Sequence, residues 1–199
     1  MNSGSMTQFS TVGIILNNTK MLVIVFLCCC SCAANTTGEK RLSVYLTDSS
    51  KYILLPPENI ENSLDMAQQI SASYKGRKFF LNAWVKADET GMEMVLLNEL
   101  GARMGELSYR NGLVSFSSPV VPSAMKPEYV IADFQLCFYN AVALRQALND
   151  CGLSFEDTEN SRRIFKGKTL VIEVEKDRNT VRLVNHLRGY AYTLEGDFE

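Results

Sequence analysis

The sequence predicts a mainly β domain with a helical insertion, an α+β fold in which a curved antiparallel sheet surrounds one or two buried helices. Two observations support this fold class. Apolar residues alternate with a period of two over much of the chain after residue 60, and turn residues separate these runs. A single stretch near residue 130 changes to helical spacing. An open sandwich with the helices at one edge is the alternative arrangement.

The clearest strand is RKFFLNAWVKAD, in which Phe79, Leu81 and every second residue up to Ala87 share one face. The opposite face carries Phe80 and Trp84, so either both faces are covered or the concave interior holds an apolar molecule. Asn-Gly turns between apolar runs are typical of β-hairpins, and the neighbouring segments predict a meander of antiparallel strands. Those segments are SLDMAQQISASYKG, GMEMVLLNE, ARMGELSYR and LVSFSS.

The segment EYVIADFQLCFYNAVALRQALNDCG keeps helical spacing and predicts two helices. Asn140 is suited to cap the start of the second helix, and Gly152 is suited to end it. The first helix is apolar on several sides, so we expect it to be buried, with Asp133 hydrogen-bonded or paired with a cation. Strands then resume and bring the total to eight to ten; they are RRIFKG, KTLVIEVEKD, TVRLVNHL and RGYAYTLEGDF.

The N-terminal segment differs from the rest and is predicted to be a lipoprotein signal peptide that starts at Met1 or Met6. A lone cation, Lys20, precedes the apolar run Met21–Leu27, and the cysteine cluster CCCSC follows. The apolar stretch is shorter than the roughly 20 residues that a membrane-spanning helix needs. The predicted boundaries are 1–31 for the signal peptide, 32–41 for the lipidated cysteine and a flexible tether, and 42–199 for a single domain.

The cysteine cluster resembles the lipobox of bacterial lipoproteins, in which one cysteine is lipidated and becomes the first residue of the mature chain. Ser31 favours Cys32 as that residue, and Cys30 is the alternative because Leu27 occupies its aliphatic position. Neither cysteine is followed by aspartate, so the sorting rule for such lipoproteins implies a lipid-anchored protein on the periplasmic face of the outer membrane. No cofactor is expected beyond the covalent N-acyl diacylglyceryl lipid on this cysteine.

Composition and motifs argue against several function classes. The formal net charge is −2 without a long basic run, which argues against nucleic-acid binding. The chain has one histidine and none of the G-x-S-x-G, P-loop, G-x-G-x-x-G or H-E-x-x-H motifs, so we expect no catalytic residues and no metal site. A continuous helix would separate Cys137 from Cys151 by roughly 21 Å, which favours buried free thiols over a disulfide.

The loop in VLLNELGARMGELSY has an apolar tip at Leu100 and Gly101. Such a tip can touch lipid or an apolar partner, or Leu100 can fold back onto the sheet. The stretch VLLNELGARMGELSYRNGLVSF is similar to a strand–loop–strand of the LolB-type outer-membrane lipoprotein receptors. Over the whole mature chain the sequence resembles the DUF3261 family of bacterial lipoproteins, in the motifs YILLPP at 52–57, KPEYVIADFQL at 126–136 and LVNHLRGYAYTLE near the end.

This resemblance implies a LolA/LolB-like fold, a strongly curved, incomplete antiparallel β-barrel that encloses helices and an apolar cavity for acyl chains. It also implies that Leu100 takes part in passing cargo into the membrane. DUF3261 members are often encoded with aryl polyene lipid biosynthesis genes, which implies an apolar cargo made in that pathway. The candidate residues for the cavity lining are Phe79, Leu81, Trp84, Met94, Tyr129, Phe134, Leu170, Ile172 and Tyr190.

The leading hypothesis is a non-enzymatic outer-membrane lipoprotein that binds an acyl or polyene-lipid moiety, or the acyl chains of a lipoprotein, and delivers it to the membrane. Burying each methylene gains roughly 0.8 kcal/mol, so an acyl chain can bind without any charged contact. The alternative is a structural or adaptor lipoprotein of an envelope biosynthesis or export complex, without a cavity ligand. Outer-membrane lipid is an expected partner in both cases, and an enzyme acting on lipid ranks third.

Overall fold

The structure, a computed structural model, describes residues 42–119 and 126–198. The predictions of a signal peptide, of a lipidated Cys32 or Cys30 and of a tether lie outside the described residues. Arg41–Glu199 forms a compact unit of its own, and all the buried apolar residues described belong to it. A chain that begins at residue 42 therefore keeps the whole of this core.

Ten strands form a large antiparallel sheet, and two short strands form a separate one. The short strands are β1 (Ser43–Tyr45) and β2 (Lys51–Ile53), which pair with each other. From one edge to the other, the large sheet has the order β7 (Leu113–Ser117), β6 (Arg103–Arg110), β5 (Gly91–Leu97), β4 (Arg77–Asp88), β3 (Leu64–Tyr74), β12 (Tyr190–Glu195), β11 (Thr180–Asn185), β10 (Thr169–Asp177), β9 (Ser161–Lys166) and β8 (Ser154–Thr158).

The large sheet is open and curved. Its edge strands are β7 and β8, so the sheet is not closed into a barrel. Helix α1 (Pro127–Phe138) contacts both β7 and β11, which lie six strand spacings apart in the sheet order. Six spacings span about 29 Å, roughly three helix diameters, so the sheet must bend around α1. The predicted mainly β class with a helical insertion is confirmed.

Helix α1 is buried on all sides over its second half. Every residue from Ile131 to Tyr139 is buried, because the large sheet covers one side and the segment that contains β1 and β2 covers another. Gln135 connects the helix to that segment. Its Oε1 accepts hydrogen bonds from Tyr52 Oη and the Leu55 amide, both at 3.0 Å, and its Nε2 donates to the Leu55 carbonyl at 2.7 Å. The predicted burial of this helix is therefore confirmed.

The helix boundaries follow from local sequence. Pro127 lies in the first turn of α1, where a missing amide proton costs no helical hydrogen bond. Asn140 caps helix α2 (Ala141–Asp150), since its Oδ1 accepts a hydrogen bond from the Ala143 amide at 2.9 Å. Gly152 follows the helix with a φ of +76°, a left-handed conformation that glycine adopts readily. The predicted cap and terminator of α2 are confirmed.

Three further details separate prediction from structure. Strand β8 has no alternating pattern, since it carries the charged pair Glu156 and Asp157, and it is recognisable only from its pairing with β9. A register shift between Leu170 and Ile172 buries two consecutive residues of β10, Val171 and Ile172. Cys137, inside α1, is a buried free thiol as predicted, whereas Cys151 at the end of α2 is a free thiol that is only half-buried. Neither helix in the described part of the chain is long and apolar enough to span a membrane.

The turns between strands define two ends of the large sheet. The β3–β4, β9–β10 and β11–β12 turns lie at one end together with the β5–β6 loop. We call this the Leu100 end, after the residue at the tip of that loop. The β4–β5, β6–β7, β8–β9 and β10–β11 turns lie at the opposite end, which we call the far end.

Candidate functional site

A pocket at the Leu100 end is the candidate functional site. It lies between the N-terminal half of α1 and the adjacent ends of β3 and β12, and its volume is 560 Å³. Sites for small molecules usually have volumes of roughly 300–1,000 Å³. The lining combines three tyrosine rings, two cations and one buried carboxyl group; its residues are Tyr74, Lys126, Tyr129, Val130, Asp133, Arg188 and Tyr190.

Asp133 is the buried charge of the pocket. Only 8% of this residue is exposed, and its two carboxyl oxygens accept hydrogen bonds from Tyr190 Oη at 3.0 and 2.8 Å. Burial raises the pKa of Asp133 to about 7, while the Tyr190 hydroxyl and the positive charge of Arg188 oppose that rise. Burial and the nearby carboxyl raise the pKa of Tyr190, so its hydroxyl remains a donor. The carboxyl therefore changes charge near neutral pH.

Arg188 forms one rim of the pocket. Its guanidinium lies over the Tyr129 ring, 4.6 Å from the ring centroid, and its Nη2 donates to the Tyr129 hydroxyl at 3.4 Å. The same Nη2 donates to the Tyr45 carbonyl. Three separate parts of the chain meet here, because Tyr45 belongs to β1, Tyr129 to α1 and Arg188 to the β11–β12 turn.

The lining suits an amphipathic ligand. Lys126 and Arg188 offer positive charge to an anionic group, whereas Val130 and the tyrosine rings offer apolar surface. Tyrosine is well suited to such a boundary, since its ring is apolar and its hydroxyl is polar. In the two described stretches, no three His, Cys, Asp or Glu side chains come together in a group that could hold a metal ion.

Two of the nine residues predicted to line a cavity, Tyr129 and Tyr190, line this pocket. The remaining inward-facing candidates belong to the core or its margin. They are Met94, Phe134 and Ile172, which are buried, and Leu81, which is half-buried. Leu170 pairs with Phe165, the neighbour of the buried Ile164, so it lies half-buried on the outer face, and its predicted place in the cavity lining is corrected.

Phe79 and Trp84 are about half exposed, at 48% and 50%. Phe79 lies on the inner face of β4, but β5 pairs with β4 only as far as Asn82, so this end of the strand has fewer neighbours. Trp84 lies on the outer face, because its neighbours Ala83 and Val85 are buried on the inner one. The placement of Trp84 in the interior is thus corrected: strand alternation directs its side chain away from α1.

The β5–β6 loop presents an exposed leucine. Leu100 is 93% exposed, so it does not fold back onto the sheet. Asn98 shapes the loop, since its Oδ1 accepts hydrogen bonds from the amides of Leu100 at 3.0 Å and Ala102 at 2.8 Å. Gly101 has a φ of +78°, which glycine adopts without steric cost. Contact of this loop with a membrane or a partner stays a prediction.

Besides Asp133, four residues of the pocket are not among the predicted lining residues: Tyr74, Lys126, Val130 and Arg188. They come from three separate parts of the chain, and the pairing of β12 with β3 is what places Tyr74 opposite Tyr190. Asp133 is the residue from which the sequence could have indicated this pocket, since a carboxyl group in an apolar helix requires a polar partner. The structure confirms that requirement and identifies the partner as Tyr190.

The fold and the pocket together define a mainly β domain whose open antiparallel sheet bends around a buried helix and leaves an amphipathic pocket at one end. The chain belongs to the family described as "Protein of unknown function (DUF3261)", whose model matches residues 65–196. The matched region contains both helices and nearly all of the large sheet, but not β1 and β2. No curated protein matches the chain.

Proposed function

We propose that the protein is a non-enzymatic, lipid-anchored lipoprotein of the outer membrane that binds an acyl or polyene lipid, or the acyl chains of a lipoprotein, and delivers it to the membrane. The anchor in this proposal is Cys32, with Cys30 as the alternative. The proposal includes a relationship to the LolA/LolB-like carriers. Its main support is that the pocket opens at the same end of the sheet as the exposed Leu100 loop.

The composition of the pocket supports an amphipathic cargo rather than a purely apolar one. The cations Lys126 and Arg188 suit a charged or polar head group, and the tyrosine rings suit the start of an acyl or polyene chain. Side chains of α1 such as Ile131 and Phe134 fill the space beneath the sheet. In this proposal the cargo is therefore held near the mouth of the fold, with part of its chain exposed.

Holding cargo at the mouth suits delivery. A cargo chain that is only partly buried has few methylenes in contact with the protein. It therefore loses little binding free energy on leaving, because each buried methylene contributes only about 0.8 kcal/mol. Leu100, at the same end, would enter the lipid with the mouth and shorten the distance that the chain crosses in water. Release would then depend on contact with the membrane.

Native mass spectrometry of residues 42–199, secreted behind a cleavable signal peptide, tests the proposal. We expect a lipid to co-purify with the unchanged domain. Val130→Trp fills the pocket with a larger side chain and should abolish co-purification. Val142→Trp is the matched control, because Val142 is 80% exposed on α2 and the same change there leaves the pocket untouched.

Two results would contradict the carrier function. One is an unchanged domain that carries no lipid and does not bind a fluorescent fatty acid. The other is a Val130→Trp variant that folds and keeps its lipid, since the pocket would then not be the binding site. The first result would favour the structural or adaptor alternative.

A further inference from the structure

We propose that the tip of the β3–β4 hairpin, residues Tyr74–Phe80, is a contact surface for an anionic phospholipid membrane. The surface combines exposed aromatic rings with unpaired cations at the Leu100 end of the sheet. It uses residues other than the Leu100 loop and shares only Tyr74 with the pocket lining.

The aromatic residues of the tip are unusually exposed. Tyr74 is 45% exposed, Phe79 is 48% exposed and Phe80 is 57% exposed. The β4 strand has a neighbour on one side only in this region, because β5 pairs with β4 no further than Asn82. The tip therefore extends past the edge of β5 by about five residues, or roughly 17 Å.

The two phenylalanines point to opposite faces of the hairpin, because they are consecutive residues of one strand. A rigid partner with a flat surface could cover one of these rings but not both. A fluid lipid interface covers both rings at once when the tip enters it. This geometry favours a membrane over a folded protein as the partner.

The charge of the tip favours an anionic membrane. Lys75, Arg77 and Lys78 lie between the aromatic residues, and residues 66–87 contain no aspartate or glutamate. Within the described part of the chain, none of the three cations forms an ion pair, and Lys75 lies 5.2 Å from the Tyr74 ring centroid. Lysine and arginine beside tyrosine and other aromatics are common at membrane interfaces.

The two ends of the sheet differ in charge. Turns at the far end carry several carboxylates, among them Asp88, Glu89, Glu159 and Asp177, together with Arg178. The turns at the Leu100 end carry mainly cations besides those of the tip, including Lys168 and Arg188, with Glu99 as an acidic residue. An anionic membrane would therefore attract the Leu100 end and repel the far end, which orients the pocket towards lipid.

Co-sedimentation with lipid vesicles tests this surface. Residues 42–199 should bind phosphatidylcholine vesicles that contain phosphatidylglycerol, bind pure phosphatidylcholine vesicles weakly, and bind less at high salt. Changing Lys75, Arg77 and Lys78 together to serine should weaken binding by about 100-fold, since each cation near an anionic surface contributes about fivefold. The control changes three exposed cations elsewhere to serine: Lys51, Arg110 and Arg163.

Insertion of the tip has its own readout. Trp84 is the only tryptophan of the chain, so Phe80→Trp in a Trp84→Phe background places a single reporter on the tip. We expect its emission to shift to shorter wavelength when phosphatidylglycerol vesicles are added. Any one of three results would overturn the inference. They are an unshifted emission, equal binding by the triple variant and its control, and no vesicle binding by the unchanged domain. Urea unfolding of each variant checks that the fold is kept.

Discussion

Burial of the Asp133 carboxyl group makes the stability of the fold depend on pH. Its carboxyl group has an ordinary pKa of 3.8, and burial in the fold raises this pKa to about 7. Between these two values the folded state keeps a proton that the unfolded state has released. The free energy of unfolding therefore falls as the pH rises through this window, and the loss is complete above the folded pKa.

The variant Asp133→Asn should remove this dependence, because asparagine has nearly the same shape and no charge. Relative to the unchanged domain, its free energy of unfolding should rise by about 3 kcal/mol between about pH 5 and pH 8, at 1.36 kcal/mol for each pKa unit. Urea unfolding at the two pH values measures the difference. Comparing the two proteins at each pH removes the effects of all other groups that titrate.

Asp150→Asn is the control for the loss of one negative charge, since Asp150 is exposed at the end of α2. It should leave the pH profile of unfolding unchanged. If Asp133→Asn also had the pH profile of the unchanged domain, the carboxyl would not be held in its neutral form by burial.

Single residues are predictable from sequence when their chemistry conflicts with their surroundings. Asp133 in an apolar helix is such a conflict, and its need for a hydrogen bond follows at once. Trp84 is the contrary case, because size and apolarity suggest burial while its position in the alternation of β4 places it outside. Residue type alone does not decide between these two faces; the exposure of the outer face depends on the whole sheet.

At the level of elements, the end of α1 is held by one buried arginine from β9. Arg162 is 3% exposed, and its Nη1 donates to the carbonyls of Leu136 at 3.1 Å and Cys137 at 3.0 Å. Its Nε donates to Asp157 at 3.0 Å, and its Nη2 donates to Glu61 at 2.9 Å. The cation thus satisfies carbonyls at the negative end of the helix and ties three other segments to it.

Arg162→Met should destabilise the domain by about 2–4 kcal/mol, because methionine fills part of the space but leaves buried carbonyls without a donor. Urea unfolding measures the change. The neighbouring Arg163→Met is a matched control, since the Arg163 side chain is half exposed on the opposite face and pairs with Glu173 at the surface. Similar losses for both variants would show that the buried contacts of Arg162 do not stabilise the fold.

For the Leu100 loop we predict a variant that changes cargo transfer without changing the stability of the domain. Leu100→Glu should leave the free energy of unfolding within about 0.5 kcal/mol, because the side chain is exposed. If the loop delivers cargo, the same variant should slow the transfer of a fluorescent fatty acid from the domain to vesicles. Leu113→Glu, at the far end and 72% exposed, should transfer at the normal rate. Normal transfer by Leu100→Glu would remove the proposed role of the loop.

Most elements of the fold can be predicted, and the exceptions have physical causes. The long strands and both helices show their own periodicity, so RKFFLNAWVKAD and the Asn140 cap are readable without tertiary information. Strand β8 is short and charged, and β1 and β2 have three residues each, which is too few for any period. These strands exist because their neighbours pair with them or bury them.

For the whole molecule, the fold class is predictable but the sheet order is not. A meander before the helices and another after them could form two separate sheets. The pairing of β3 with β12 makes them one sheet, and it also brings Tyr74 beside Tyr190 to build the pocket. That pairing links residues more than one hundred positions apart, and no local pattern specifies it. The candidate site therefore forms only when β3 pairs with β12.

The β1–β2 segment is made well before the helix that buries it. Its hydrogen bonds to Gln135 join residues 83 and 80 positions apart, and the contact of Glu61 with Arg162 spans 101 positions. At a synthesis rate of about 5–20 residues per second, this segment waits roughly 4–16 s before its helix has been made. Contacts so distant in sequence also form slowly. During that interval Tyr52 and its neighbours have no helix to cover them, and chaperones and proteases can reach them.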